Sequence, residues 1–144
     1  MKDPTDKLMT ALYSSLNGNV SYGGSSIPVY TRVIDWSDRT CDQYIQIADV
    51  LLDEDGTKDA YISKGDVSII VDTFFTGKKE GSWTPANSIA SSITELIDDV
   101  ILTLSGFTQI LARISRIESP DYTLDDGGIV MQKLITYSFI IQEN

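Results

Sequence analysis

The spacing of apolar and polar positions changes several times along this chain, and each change marks an element. Leu8, Met9, Leu12 and Leu16 recur at helical spacing behind Asp3-Pro4, a cap followed by a residue suited to the first helical turn, and Asn17-Gly18 supplies the stop. These signals predict a helix over 4–17. Residues 19–34 hold short β-prone pieces around Gly23-Gly24, with Pro28 limiting regular pairing, which predicts a loose hairpin or loop. Over 43–52 the period falls to two, with Tyr44, Gln46, Ala48 and Val50 on one side and Ile45, Ile47 and Asp49 on the other.

A longer strand is predicted over 61–76. Val67, Ile69, Val71 and Phe75 form its expected core face, opposed by Asp66, Ser68, Ile70, Asp72 and Phe74. Ile70 and Phe74 exceed what a solvent face needs, so this second face is expected to be either plainly exposed or partly covered by a neighbouring subunit. Thr84 as N-cap and Pro85 as first helical residue start a second helix whose apolar stripe, Ile89, Ile93, Leu96, Ile97, Val100 and Leu104, extends it to about residue 104. Glu95, Asp98 and Asp99 lie off that stripe and are expected to be solvated.

Beyond Ser105-Gly106, residues 107–118 read as a central strand with Ile110, Ala112 and Ile114 on one side and Gln109, Leu111, Arg113 and Ser115 on the other. Pro120, three aspartates and Gly127-Gly128 make 119–128 a connection, and 129–142 form a last strand with Ile135, Tyr137, Phe139 and Ile141 in alternation. Left at an open edge that strand would invite aggregation, so it belongs either in the middle of the sheet beside 107–118 or under a partner. The elements together predict one α+β domain over 1–144, a mixed, mainly antiparallel sheet with two helices packed on it.

Composition narrows what such a domain does. At 144 residues the chain suits one core, burying roughly two thirds of its unfolded surface. Eleven Lys and Arg against twenty-one Asp and Glu give a formal charge of -10, and Lys78-Lys79 is the only adjacent pair of cations. This argues against tight binding to bare nucleic acid, which depends on neutralising phosphates. Histidine is absent and Cys41 is the single cysteine, so imidazole catalysis, His-containing metal sites and intrachain disulfides are excluded. Cys41 sits beside Asp42 and reads as an unreactive thiol.

Charges break up the first twenty residues, leaving no apolar run long enough for a signal peptide or membrane span, and the expectation is a soluble protein. A calcium-loop test of the acidic stretch 53–66 fails in both registers. Starting at Asp53 puts Lys58 at the glycine position and Lys64 at the closing glutamate, while starting at Asp55 puts Ala60 and Asp66 there. No cofactor and no catalytic residue is expected.

In its layout the chain resembles the tail-completion or tail-terminator family of tailed bacteriophages. The likeness rests on the opening helix DPTDKLMTALYSSL, the piece IPVYTRV, the strand DVSIIVDTFF, the helix PANSIASSITELIDDVI, the strand after it, the DDGG loop and the closing strand GIVMQKLITYSFIIQEN. It spans nearly the whole chain and departs from the family at the long acidic loop after Leu52 and the irregular turn over 22–29. The resemblance implies a structural virion protein, assembled in the host cytoplasm as a homo-oligomeric ring, expected to be a hexamer. That ring would terminate or complete the tail between neck or portal-proximal proteins and tail-tube proteins, letting DNA pass without binding it specifically. Competing readings are another neck or adaptor ring, a tail-tube subunit, a carboxylate-based enzyme or a monomeric binding protein. Because protruding loops carry recognition, the expected contact residues are Lys78, Lys79 and Trp83 before the second helix and Asp121, Tyr122, Leu124, Asp125 and Asp126 in the late loop.

Overall fold

A computed structural model describes residues 2–56, 60–76 and 81–144. In chain order the elements are α1 (Thr5–Leu16), β1 (Ser21–Tyr22), β2 (Ser25–Ser26), β3 (Val29–Tyr30), a short 3-10 turn (Trp36–Asp38), β4 (Gln43–Glu54), β5 (Ile62–Phe75), α2 (Thr84–Ile97), β6 (Thr103–Leu104), β7 (Phe107–Glu118), β8 (Asp121–Thr123) and β9 (Ile129–Glu143). The main sheet runs β3-β4-β5-β9-β7-β6, with β8 added to β9, and every pairing is antiparallel except β3 with β4. The expected α+β class with a mixed, mainly antiparallel sheet and two helices is what forms.

Both helices cover one face. α2 packs across β5 and β9, while α1 lies over β4 and against α2. Leu8, Leu12 and Leu16 of α1 and Ile89, Ile93 and Ile97 of α2 are wholly buried against Ile45, Ile47, Val67, Ile69, Val71, Ile135, Tyr137, Phe139 and Ile141. Each such side chain contributes roughly 1.5–3 kcal/mol by leaving water. The Thr94 hydroxyl donates to the Ala90 carbonyl oxygen at 2.9 Å, which leaves the Tyr137 phenol to donate to Thr94 Oγ1 at 3.3 Å. Burial pushes the Tyr137 phenol up to about 12.

β9, the longest strand, lies between β5 and β7. Its apolar alternation is therefore satisfied inside its own sheet, with no partner needed to hide it. α1 begins one residue later than its proline suggests: Pro4 is the cap, and Asp3 Oδ1 accepts from the Thr5 N–H at 2.9 Å. α2 likewise has Trp83 at its cap and Thr84 inside.

Two expectations fail for reasons of packing. α2 stops at Ile97 instead of continuing to 104, because Asp98 and Asp99 turn away to serve β7. The Asp99 N–H donates to the Ala112 carbonyl at 2.7 Å, and Asp98 Oδ1 accepts from the Ile114 N–H at 2.8 Å. Asp98 is thus a structural cap on a strand edge. β7 is also not central: β6 flanks it only at Phe107 and Thr108, and bulges between Gln109 and Leu111 and between Ile114 and Arg116 break its alternation. The first bulge reverses the expected faces, burying Gln109 and leaving Ile110 51% exposed.

Candidate assembly surfaces

The face of β5 turned away from the helices is covered at one end by the chain itself. Phe74, expected at the surface or under a neighbour, is buried beneath the segment 35–42, with the Arg39 guanidinium carbon 3.7 Å from its ring centre and Trp36 edge-on at 6.1 Å. Asp35 Oδ1 accepts from the N–H and hydroxyl of Ser37, both at 3.0 Å, fixing the turn that presents Trp36. Ile70, further along that face, is half-buried.

Asp72, only 1% exposed, lies under this lid. Gln46 joins it to the residue that leads into the lid: the Ile34 N–H donates to Gln46 Oε1 and Gln46 Nε2 donates to Asp72 Oδ2, both at 2.8 Å. The Tyr44 hydroxyl and Asp72 Oδ1 are buried with no partner in hydrogen-bond geometry. Burial raises the Asp72 carboxyl above its ordinary range, with Tyr44, Gln132, Gln46 and Trp36 pulling partly the other way. The Tyr44 phenol is raised too, by burial first and by the Asp72 charge second.

A carboxyl whose folded value is raised binds its proton more tightly in the folded state, so its contribution to stability is largest in acid. That contribution declines as pH rises from the unfolded value near 3.8 through the folded one. Asp72→Asn keeps an oxygen for Gln46 and removes the ionisation. The stability difference between wild type and D72N should shift in favour of the variant as pH rises from acid to neutral, and parallel urea titrations across that range measure it. A difference that stays flat with pH would show that Asp72 does not titrate against folding.

The eight expected contact residues do not form one patch. Lys78 and Lys79 lie outside the described residues. Trp83, half-buried, faces the helix side of the sheet end, where Lys133 Nζ stands 5.8 Å from its ring. Tyr122 belongs to the other side: in β8 it pairs with Val130, which pairs with Phe74, and its ring lies 6.2 Å from Trp36. Asp121 and Tyr122 are exposed within β8, and Leu124, Asp125 and Asp126 form the turn behind it. That turn is closed by the Leu124 N–H to Gly128 carbonyl bond at 2.7 Å and by Asp126 Oδ1 accepting from the Gly128 N–H at 2.8 Å. Trp36 and Arg39 complete the surface around Tyr122, and sequence reasoning missed both. The usable signal is Gln46 and Asp72, two polar groups set in otherwise apolar strands.

Three open depressions lie beside α1 and β4. One of about 450 Å³ lies beside α1, lined by Asp3, Thr5, Asp6, Met9, Tyr13 and Thr31, and two more adjoin it along β4. They bring together methyls, hydroxyls, carboxylates and the cations Lys2 and Arg32, and the Thr5 hydroxyl donates to Asp3 Oδ1 at 2.6 Å at the start of α1. Among the described residues no three Cys, Asp or Glu side chains converge as metal ligands, and no helix is long and apolar enough to cross a membrane. In the acidic region tested as a calcium loop, Asp55 pairs with Lys64 at 2.6 Å.

No protein-family model matches the chain, and no curated protein matches it. Among solved structures it is similar to a chain in the virion of a native gene transfer agent particle, with a TM-score of 0.68 and 14% sequence identity over 97% of this chain and 98% of that one. At that identity the likeness is one of fold, and it is the fold of a chain found in a virion.

Proposed function

We propose that this protein is a structural component of a phage-like virion, forming a ring at the head-tail junction that terminates or completes the tail and leaves a channel for DNA. The observation that carries this reading is the end-to-end likeness of fold to a chain of the gene transfer agent virion, which leaves almost no part of either chain unmatched. The sequence resemblance to tail terminators supports the same reading. Neck or portal-proximal proteins on one side and tail or tail-tube proteins on the other are its proposed neighbours, and six copies its proposed number.

The charge has a place in this reading. A formal -10 on each subunit, repeated around a ring, repels phosphates and lets a duplex slide without sticking. A second reading, a neck adaptor or tube subunit, draws on the same fold likeness, because that likeness is to a chain of a whole virion. Particles made without this protein distinguish the two: the junction reading expects unjoined heads together with tails of uncontrolled length, seen by negative-stain microscopy. Heads joined to tails of normal length would overturn it, and absence of any tail tube would favour the tube subunit.

A further inference from the structure

β4 and β7 flank the central pair β5 and β9 on opposite sides, and each leaves part of its outer edge unpaired among the described residues. β3 pairs with β4 only at Ile45 and Gln46, so no strand covers Ile47 to Glu54. On β7, β6 covers Phe107 and Thr108. Residues 98–102 close the next stretch, through the Asp98 and Asp99 bonds and through Gln109, whose side chain accepts from the Leu102 N–H at 3.3 Å and donates to the Val100 carbonyl at 2.5 Å. The edge from Ser115 to Glu118 stays open.

These two edges are opposite in charge. β4 itself carries Asp49, Asp53 and Glu54, all three exposed, and no cation, although Lys64 on β5 pairs in register with Asp53 and Arg32 and Lys2 lie in neighbouring segments, whereas β7 carries the exposed Arg113 and Arg116 with one acid, Glu118. Arg116 touches Glu118 at 2.6 Å, but both side chains are well exposed, so that contact exchanges readily with another carboxylate. Each edge also shows an apolar residue to water, Leu51 at 68% exposure on β4 and Ile117 at 52% on β7. Two cations on one edge of so acidic a chain work against the general repulsion between copies, and they sit opposite the acids of the other edge.

We infer that a second copy of this chain docks head to tail, the acidic β4 edge of one copy meeting the arginine-bearing β7 edge of the next. Two different surfaces meet, so every added copy leaves one of each free, and the series closes into a ring when the rotation per copy divides the circle. The inference deepens the ring reading above and rests on it for closure.

The test uses two charge-reversed variants of the full chain, one with Arg113→Glu and Arg116→Glu, the other with Asp53→Lys and Glu54→Lys. Asp49 is left alone because its φ of 46° suits aspartate better than lysine. Sedimentation velocity at low ionic strength should show wild-type oligomers that dissociate as salt is added. Each variant alone should associate roughly tenfold or more weakly, and an equal mixture of the two should recover oligomers, because each then offers the edge the other lacks. R113K with R116K, keeping the charge, should assemble like wild type. A monomeric wild type at low salt and high concentration overturns the inference. So does either reversed variant assembling like wild type, or a mixture of correctly folded variants that fails to recover. Failure here in a protein still found at the head-tail junction leaves the ring reading standing with a different interface; recovery in a protein absent from that junction does the reverse.

Discussion

Replacing Phe139 by alanine should lower the free energy of unfolding by about 3–5 kcal/mol, the range for deleting a buried aromatic side chain. Phe139 is 1% exposed in the central strand, and its register neighbours are Gly65 on β5 and Ala112 on β7. Two such small neighbours offer little side chain that can relax into the hole, which places the expected loss toward the upper end. For a domain of this size, whose whole stability is of order 5–15 kcal/mol, that is a large fraction. Urea denaturation followed by circular dichroism measures it as a lower midpoint with little change in slope. Phe139→Leu, which refills most of the volume, should lose much less, and equal losses for the two would show that volume at this site is not what matters.

Gly65→Ala should be strongly destabilising although it adds a single methyl to β5. A Cβ there would collide with the Leu51 carbonyl oxygen and lie 2.8 Å from both the Leu51 carbonyl carbon and Leu52 Cα, all backbone atoms that cannot rotate aside. The collision arises from the bulge in β4, where the register jumps between Ala48 and Leu51 and Asp49 takes a left-handed φ of 46°. Relieving it means either pushing the β4 edge outward or dissolving the bulge. Dissolving it slips the register by one and carries Leu52 off the core face. A loss of about 2–3 kcal/mol is expected from the forced overpacking. Amide hydrogen exchange should localise the damage, with faster exchange at 51–54 and retained protection in α2. Uniform loss of protection would mean that the bulge is not an independent feature. Self-association should weaken too, because the displaced edge is the one that carries Asp53 and Glu54.

Much of the architecture is legible in local pattern alone. The period of two from Ile135 to Ile141 names the core face of β9, and the spacing of Leu8, Leu12 and Leu16 names that of α1, because a residue's direction within a regular element follows from geometry alone. The errors gather where long-range contacts outweigh local pattern. Val100 and Leu104 continue the helical stripe in sequence, but the unpaired edge of β7 needs hydrogen-bond partners, and Asp98 and Asp99 leave the helix to supply them. The alternation of β7 fails for a related reason: each bulge inserts a residue and shifts which side chains face inward, and nothing in the polarity of FTQILARISRIE marks where.

The contact residues are legible only as loop chemistry. Gly127 and the aspartates predict a turn, and a turn forms, but the contact of Tyr122 with Trp36 joins positions far apart along the chain. The sequence by itself determines the kind and order of the long elements, the acidity, and the absence of histidine chemistry, since these depend on residue identity and near neighbours, whereas the short strands β6 and β8 fall where the local pattern predicts helix and connection. Only the tertiary structure decides that Asp72 and Phe74 lie under the chain's own lid, and that acids and arginines sit on opposite margins of one sheet. Burial and opposition are relations between distant segments, and the pattern within a strand carries no record of what another segment will cover.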